Sequence, residues 1–441
     1  MFTFGTRGDV QPYVALGAAL KSRGFDVTIC TGQGFDDLIE AHGLASRSAS
    51  INYRDLLQKP EIQDAMHSFK GKFRAYREVQ SLLRQQHDEM LKIAREVAPD
   101  LLISNSKGYV AHNIARSMGI PSIPTMLQPL YVETGEFPPA MISAPTLGRW
   151  GNRIAHRLLN SFSLWITRRM AAKWAKEAFD SDEFSKIGPY IDGYHPDGRS
   201  VPHLHGYSRH VVPKPANWGE NEHVTGYWFL EPDHEWRPPE DLRAFMEAGD
   251  PPVYVGFGSM PSWDAKALTA AVSAALSRLG RRGVLATGWG GLEAGQQTPD
   301  IFHLDHAPHE WLFPRCAAIV HHGGSGTTHE ALRWGRPTVI CAAGADQPFW
   351  GHRVAMLCAG PKPLMLKSLT VAGLAEAIAF ALDPDVAAKA ETLGEAIRRE
   401  NGAATAAGLV VKLVQAASLP MSNVADMSAI EDGPPNRAQS N

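Results

Sequence analysis

One stretch limits the folds open to this 441-residue chain more than any other: His321-His322-Gly323-Gly324-Ser325-Gly326-Thr327-Thr328. Ahead of it, Ala317-Ala318-Ile319-Val320 is a short apolar run of the kind buried in a parallel sheet. Behind it, Thr327 to Gly335 has helical character, with hydroxyls in its first turn and Gly335 where a C-terminal cap would sit. Strand, glycine-rich turn and helix in succession commit this part of the chain to an α/β arrangement. The same geometry aims unpaired backbone N–H groups and the positive end of a helix dipole at one small volume. Three glycines let a bulky anion approach the backbone, and Ser325, Thr327 and Thr328 add hydroxyl donors. A phosphate or diphosphate is the expected occupant.

The turn is not a P-loop, because no Gly-Lys-Ser/Thr follows its glycines. It is a poor dinucleotide fingerprint as well, since His329 stands where a third glycine belongs, and a dinucleotide oxidoreductase is set aside on that ground. The next expected strand, Pro337 to Ala343, ends in Gly344-Ala345-Asp346-Gln347. A carboxylate and an amide at a strand end suit sugar hydroxyls, which need both acceptors and donors. Diphosphate and sugar together point to a nucleotide sugar.

The segment from His306-Ala307-Pro308-His309-Glu310-Trp311-Leu312-Phe313 through Asp346-Gln347-Pro348-Phe349-Trp350-Gly351-His352-Arg353 resembles the nucleotide-sugar signature of family 1 glycosyltransferases. Within that family the pattern is nearest the sterol glucosyltransferases and the enzymes that glycosylate macrolides, glycopeptides and lipids. Gly5-Thr6-Arg7-Gly8-Asp9-Val10-Gln11-Pro12 is similar to the other hallmark of that branch. The resemblance covers both ends of the chain and is vague from about Asn52 to Ser200. It implies a GT-B fold: two doubly wound Rossmann-like domains facing across a cleft.

Length agrees with two domains of about 100–200 residues each. Hydrophobic content of 44% and charged content of 20% describe a globular protein with full cores. A net charge of −3 gives no nucleic-acid footprint. Cys30, Cys316, Cys341 and Cys358 show no paired spacing, and buried free thiols in a reducing, cytoplasmic setting are expected. No basic and apolar leader opens the chain, and no run approaches ~18 uncharged apolar residues, so neither a signal peptide nor stable membrane insertion is expected.

Alternating strand and helix patterns argue for parallel, doubly wound sheets. In the first half they give strands at Met1–Phe4, Phe25–Thr31, Leu101–Ile103 and Ile120–Met126. Helices are expected over Tyr13–Arg23, with Pro12 as a first helical residue, and over Tyr109–Met118. Residues 1–213 are assigned to an acceptor-binding domain and 214–230 to a linker rich in Pro and Gly. Residues 231–400 form the nucleotide-sugar domain and 401–417 a helix that the resemblance sends back to the first domain. Residues 418–441 are expected to be a disordered tail. The aromatic-rich segments 52–96 and 137–186 would line an acceptor cleft, or simply pack as core.

Asp9 lies in the turn after the first strand, at the carboxyl end of a parallel sheet, where ligands bind in such folds. It is the candidate general base for an acceptor hydroxyl; alternatively it caps the first helix, and one carboxylate can do both. The resemblance selects His322 over His321 for the diphosphate, beside Gly324, Ser325, Gly326 and Thr327, with the helix dipole in the role a metal plays elsewhere. Ser259 either touches the phosphates too or is an ordinary turn serine. His306 occupies the family's base-stacking Trp position, with Ala307 offering backbone to the base. Asp346 and Gln347 would hold the sugar. A zinc reading of His321, His322 and His329 lacks Cys or Glu partners, so no metal and no cofactor beyond the nucleotide-sugar co-substrate are expected. The combined expectation is an inverting, metal-independent transferase acting from UDP-glucose on a lipophilic alcohol. A nucleotide-sugar epimerase of the same fold and a non-catalytic auxiliary of a partner transferase are the alternatives.

Overall fold

The computed structural model describes residues 1–59, 69–181, 193–231, 236–258, 264–287, 291–295 and 297–418. Ser259 and the tail from residue 419 lie outside the described residues.

The first sheet contains β1 (Thr28–Thr31), β2 (Ala45–Ser48), β3 (Leu102–Ser104), β4 (Ser122–Met126), β5 (His203–His205) and β6 (Glu222–Val224). β1 pairs with β2, and β3 to β6 pair in chain order, all parallel. The gap between β1 and β3 is closed by the start of the chain, where Phe2 bridges Cys30 on one side and Ser104 on the other. The expected first strand is therefore one paired residue at the sheet centre, held by its burial and that of Phe4. Strand order reverses there, between Phe2 and β3.

The second sheet holds β7 (Val253–Gly256), β8 (Gly283–Ala286), β9 (Ile301–Leu304), β10 (Ala318–His321), β11 (Thr338–Ala342) and β12 (Leu364–Met365) in the order β12-β11-β10-β7-β8-β9. Every pair is parallel. The reversal falls between β7 and β10. Open α/β sheets bind ligands outside the carboxyl ends of the strands at such reversals. Two places are thereby selected: residues 4–9 beside 104–107, and residues 256–258 beside 321–324.

Ten helices carry the argument among the described residues: α1 (Arg7–Lys21), α2 (Phe69–Val97), α3 (Ala111–Met118), α4 (Gly148–Phe179), α5 (Ala265–Arg278), α6 (Ser325–Arg333), α7 (Gln347–Met356), α8 (Val371–Ala381), α9 (Pro384–Arg398) and α10 (Gly402–Ser418). α1 starts six residues before the expected Tyr13, and Pro12 lies inside it. The cause is local: the Asp9 carboxylate accepts the Thr6 N–H at 2.8 Å and so fixes the helix start upstream.

The segment 214–230 is not a plain connection, because it contributes β6 to the first sheet. Glu222 anchors that edge strand by accepting from His205 at 2.7 Å, with His203 Nδ1 2.8 Å from its other oxygen. Pro213, Pro215 and Gly219 flank a strand too short for a sequence pattern. α10 lies against α1, with Ala406, Ala407 and Val410 packed on Tyr13, Leu16 and Trp228. A separate apolar seam joins the halves, where Phe137, Tyr207 and Trp218 meet Phe349, Trp350 and Ile397. Cys30, Cys316 and Cys341 are buried free thiols, and Cys358 is exposed.

Candidate functional site

At the first reversal the chain turns from Phe4 through Gly5 and Thr6 into α1. Gly5 has φ of +136°, and a Cβ there would stand 2.0 Å from Asp9 Oδ2 and 2.5 Å from Lys107 Nζ. Glycine is required so that both side chains can fold over the turn. Lys107 follows β3, and its ammonium lies 2.9 Å from Asp9 Oδ2. The Thr6 N–H bond falls on the same oxygen, which leaves Oδ1 without a partner among the described residues. Asp9 is thus both a helix cap and a carboxylate presented at the mouth of the sheet, with 19% of its side chain exposed. Nothing in the sequence singled out Lys107; its pairing with Asp9 spans nearly a hundred residues.

At the second reversal β10 ends in His321 and the chain turns through Gly323, whose φ is +94°. A Cβ on Gly323 would lie 2.6 Å from Ile340 Cγ2 and 3.1 Å from the Gln347 carbonyl, so backbone packs on backbone at this point. His321 is fully buried and its Nδ1 accepts the Gly323 N–H at 2.9 Å, which sets the turn. His322 lies between Gly258, at the end of β7, and Gly324; hypothetical Cβ atoms on those glycines would be 3.3 and 2.6 Å from its ring. Its buried Nδ1 has no hydrogen-bond partner among the described residues. Burial lowers its pKa to about 4, so it is a neutral imidazole at pH 7. α6 then begins at Gly324 with no side-chain cap, and its first N–H groups face the reversal.

The hydroxyls expected to join that anion site divide. Ser325 Oγ donates to the Leu127 carbonyl of the first half at 3.2 Å, and Thr328 Oγ1 donates to Gly324 at 2.9 Å. Both are therefore engaged by protein, and Ser325 serves as a bridge between the halves instead of a phosphate donor. Thr327 has no such bond among the described residues. Tyr227, from the chain leaving the first sheet, brings its hydroxyl within 3.0 Å of a Cβ built on Gly326. Burial holds that phenol protonated, which makes it a further donor beside α6. Ser259 lies outside the described residues.

His329, where a dinucleotide site would have glycine, is a structural hub. Its Nδ1 donates to the Ser325 carbonyl at 2.8 Å and its Nε2 accepts the Ser208 N–H at 3.2 Å. Tyr227 stacks on it with ring centroids 4.6 Å apart, and Trp350 meets it edge-on. Among the described residues no three His, Cys, Asp or Glu side chains are gathered as a metal site, and no helix is long and apolar enough to cross a membrane.

The sugar candidates follow β11. Asp346 accepts the Trp350 indole N–H at 2.8 Å. Burial raises its pKa, and the charge of Asp9 adds to that, against the bonds from Trp350 and Gln128. Gln347 Oε1 accepts the Ala343 N–H at 2.7 Å, so its carbonyl closes the turn instead of standing open to a sugar. At the far edge, beyond β9, His306 is exposed and its Nε2 lies 3.3 Å from Arg7 Nη1, while Ala307 is buried. Along the carboxyl edge of the second sheet the order is thus His306 at β9, Gly258 and His322 at β7 and β10, and Asp346 at β11. Arg7 meets this edge from the first half, with Asp9 two residues further along α1 and paired to Lys107.

Two domain families match this chain: the glycosyltransferase family 28 N-terminal domain over residues 1–134, and the erythromycin biosynthesis protein CIII-like C-terminal domain over residues 284–415. A sterol 3-beta-glucosyltransferase of Arabidopsis thaliana is 33% identical over 425 residues, covering 92% of this chain and 64% of the relative. A sterol 3-beta-glucosyltransferase of Cryptococcus neoformans is 31% identical over 99% of this chain but 28% of its own length. The chain therefore spans less than two thirds of the plant relative and little more than a quarter of the fungal one. Among solved structures, the calicheamicin glycosyltransferase CalG4 has a TM-score of 0.65 at 17% identity, covering 94% of this chain and 97% of that one. The glycosyltransferase VinC in complex with DTDP has a TM-score of 0.63 at 18% identity, covering 94% and 99%. Likeness at that identity establishes the fold, which is GT-B.

Proposed function

This chain belongs to the family 1 glycosyltransferases of the sterol and macrolide branch, and from that premise we propose that it moves glucose from UDP-glucose to the hydroxyl of a sterol or similar lipophilic alcohol, with inversion. The observation that carries the proposal is the pairing of the two strand-order reversals. One presents a carboxylate and the other an uncapped helix start, and the halves meet beside them, where Arg7 Nη1 lies 3.3 Å from His306 Nε2.

The donor fits along the second sheet. From β9 to β11 is four strand spacings, about 19 Å, room for base, ribose, diphosphate and sugar in line. His306 and the backbone at Ala307 would hold the base. His322, Thr327 and the N–H groups of Gly324, Ser325 and Gly326 would hold the diphosphate, and Asp346 with Gln347 the sugar. In the reaction the acceptor oxygen attacks the anomeric carbon as the bond from that carbon to the diphosphate oxygen breaks. The bonding pair leaves with the diphosphate, where the dipole of α6 and the neutral His322 N–H stabilise it. The acceptor proton goes to Asp9, which Lys107 and the Thr6 N–H hold in place. The sterol assignment is supported by the names of the relatives.

The test is release of nucleoside diphosphate from UDP-glucose against a panel of sterols and other lipophilic alcohols, with and without EDTA. Acceptor-dependent release that withstands EDTA, giving a β-glycoside, is expected. Release without any acceptor, or epimerisation of the donor, would overturn the reading. Substituting dTDP-glucose separates a wrong donor from a wrong reaction.

A further inference from the structure

α4 is a 32-residue helix whose inner face is well satisfied. Asn152 donates to the Gly135 carbonyl at 3.0 Å, His156 bonds the Phe137 carbonyl at 3.1 Å, and Trp174 is buried against α2. Its outer face is unlike any other among the described residues. Trp150, Ile154, Leu158, Phe162 and Trp165 are 77%, 57%, 67%, 61% and 60% exposed. At 3.6 residues per turn these five fall within an arc of about 120° and run about 22 Å along the helix. A continuous stripe of this kind on a soluble surface marks an interaction site, whereas single exposed apolar residues do not.

The charge around the stripe identifies its occupant. Between Gly148 and Lys176 the helix contains seven Lys and Arg residues and no Asp or Glu, in a chain whose net charge is −3. Arg157 is paired with Glu133, but Arg168 and Arg169 are exposed on the same arc as the stripe, about one turn past its end, and Lys173 is exposed just beside that arc one turn further on. The Arg169 guanidinium lies over the Trp165 ring at 6.0 Å. Large apolar side chains with tryptophans among them, flanked by unopposed cations, match a helix lying in the plane of an anionic lipid surface. A protein partner of the usual kind would bring its own polar rim and does not call for so strong an excess of cations along one helix.

We propose that the outer face of α4 docks the protein onto anionic bilayers. The helix follows directly on the loop 127–147, which reaches the seam between the halves, and Ser143 in that loop accepts from His352 of the second half at 3.1 Å. Met141 and Leu147, in the same loop, are also exposed, at 53% and 44%. Docking therefore brings one border of the cleft to the lipid, where a lipophilic acceptor partitions.

The full chain is floated with vesicles of phosphatidylcholine alone and of phosphatidylcholine mixed with phosphatidylserine. The chain should float with the anionic vesicles, be released by high salt, and float at least tenfold less with phosphatidylcholine alone. The triple change Trp150→Ser, Phe162→Ser, Trp165→Ser should lower flotation at least tenfold, and Arg168→Glu with Arg169→Glu should abolish the preference for anionic lipid. Unchanged thermal melting verifies that the variants are folded. A wild-type chain that stays with the soluble fraction, or variants that float as it does, would overturn the proposal. So would a dimer, seen by sedimentation velocity without lipid, that the triple change dissociates. Flotation reads binding and not transfer, so its outcome is independent of the reaction assigned to the cleft.

Discussion

The two strand-order reversals are the same piece of architecture used in opposite ways. In each a central strand ends, a glycine with positive φ turns the chain, and a helix begins. In the first, a side chain three residues into the helix folds back and caps it, so the positive helix end is already answered by the Asp9 carboxylate. Lys107 then balances the charge. In the second, Gly324 caps α6 with no side chain and no acidic residue stands in its first turn. A self-capped helix cannot hold an anion but presents a fixed carboxylate; an uncapped one is an anion site in waiting. In the proposed reaction, the difference between a base and a phosphate cradle comes down to which residue stands in the first turn.

The sharpest way to break that comparison is Asp9→Asn. The amide oxygen still caps Thr6, so α1 remains intact, and turnover should fall by roughly a hundredfold or more while nucleoside-diphosphate affinity is unchanged. Unchanged turnover would leave Asp9 as a cap alone. Next is Gly323→Ala, which places a methyl group 2.6 Å from Ile340 at a φ of +94°. It should lower stability in urea by about 1–3 kcal/mol. His322→Ala should weaken nucleoside-diphosphate binding about tenfold, or about 1.4 kcal/mol by calorimetry, without comparable loss of stability. Equal affinity would transfer that role to the backbone alone. Lys107→Met should cost turnover severalfold, on the order of a surface ion pair of up to about 1 kcal/mol, and leave nucleotide affinity untouched.

The smallest effect is one of pH. His322 and His329 are neutral when folded, with burial taking their pKa from the ordinary 6.5 to about 4. His309 and His321, in the same region, are lowered in the same direction by the same cause. Because the unfolded histidines bind protons more tightly, their contribution is fully present above about pH 6.5 and is lost as pH falls toward 4, by at most ~1.4 kcal/mol per unit for each. The first reversal contains no histidine. Amide exchange, corrected for its intrinsic rate, should therefore accelerate more over 318–333 than over 7–21 between pH 6.5 and 5. Equal acceleration in the two regions would contradict the burial argument.

The difference in legibility between the two reversals has a physical origin. His321 to Thr328 is one contiguous segment, and glycine spacing with apolar runs on either side is a local signal that survives without tertiary context. For that reason β10, α6 and β11 stand where the sequence places them, while α1 begins earlier because a single hydrogen bond from Asp9 outweighs the proline cue at Pro12. The three-residue strands β5 and β6 were hidden among prolines and glycines, since strands so short have no period to detect.

The sequence by itself determined the α/β architecture, both turns, and the residue types presented at each. Those properties depend on glycine backbone freedom and on the period of apolar residues, which are local. Only the tertiary structure decided that Lys107 meets Asp9, that Ser325 and Gln347 are held by the protein's own backbone, that His329 and Tyr227 latch the halves, and that one face of α4 is left bare. Each of these is a contact, or the lack of one, between segments far apart in the chain. Such pairings are set by how the sheets and helices pack, and no local pattern encodes them.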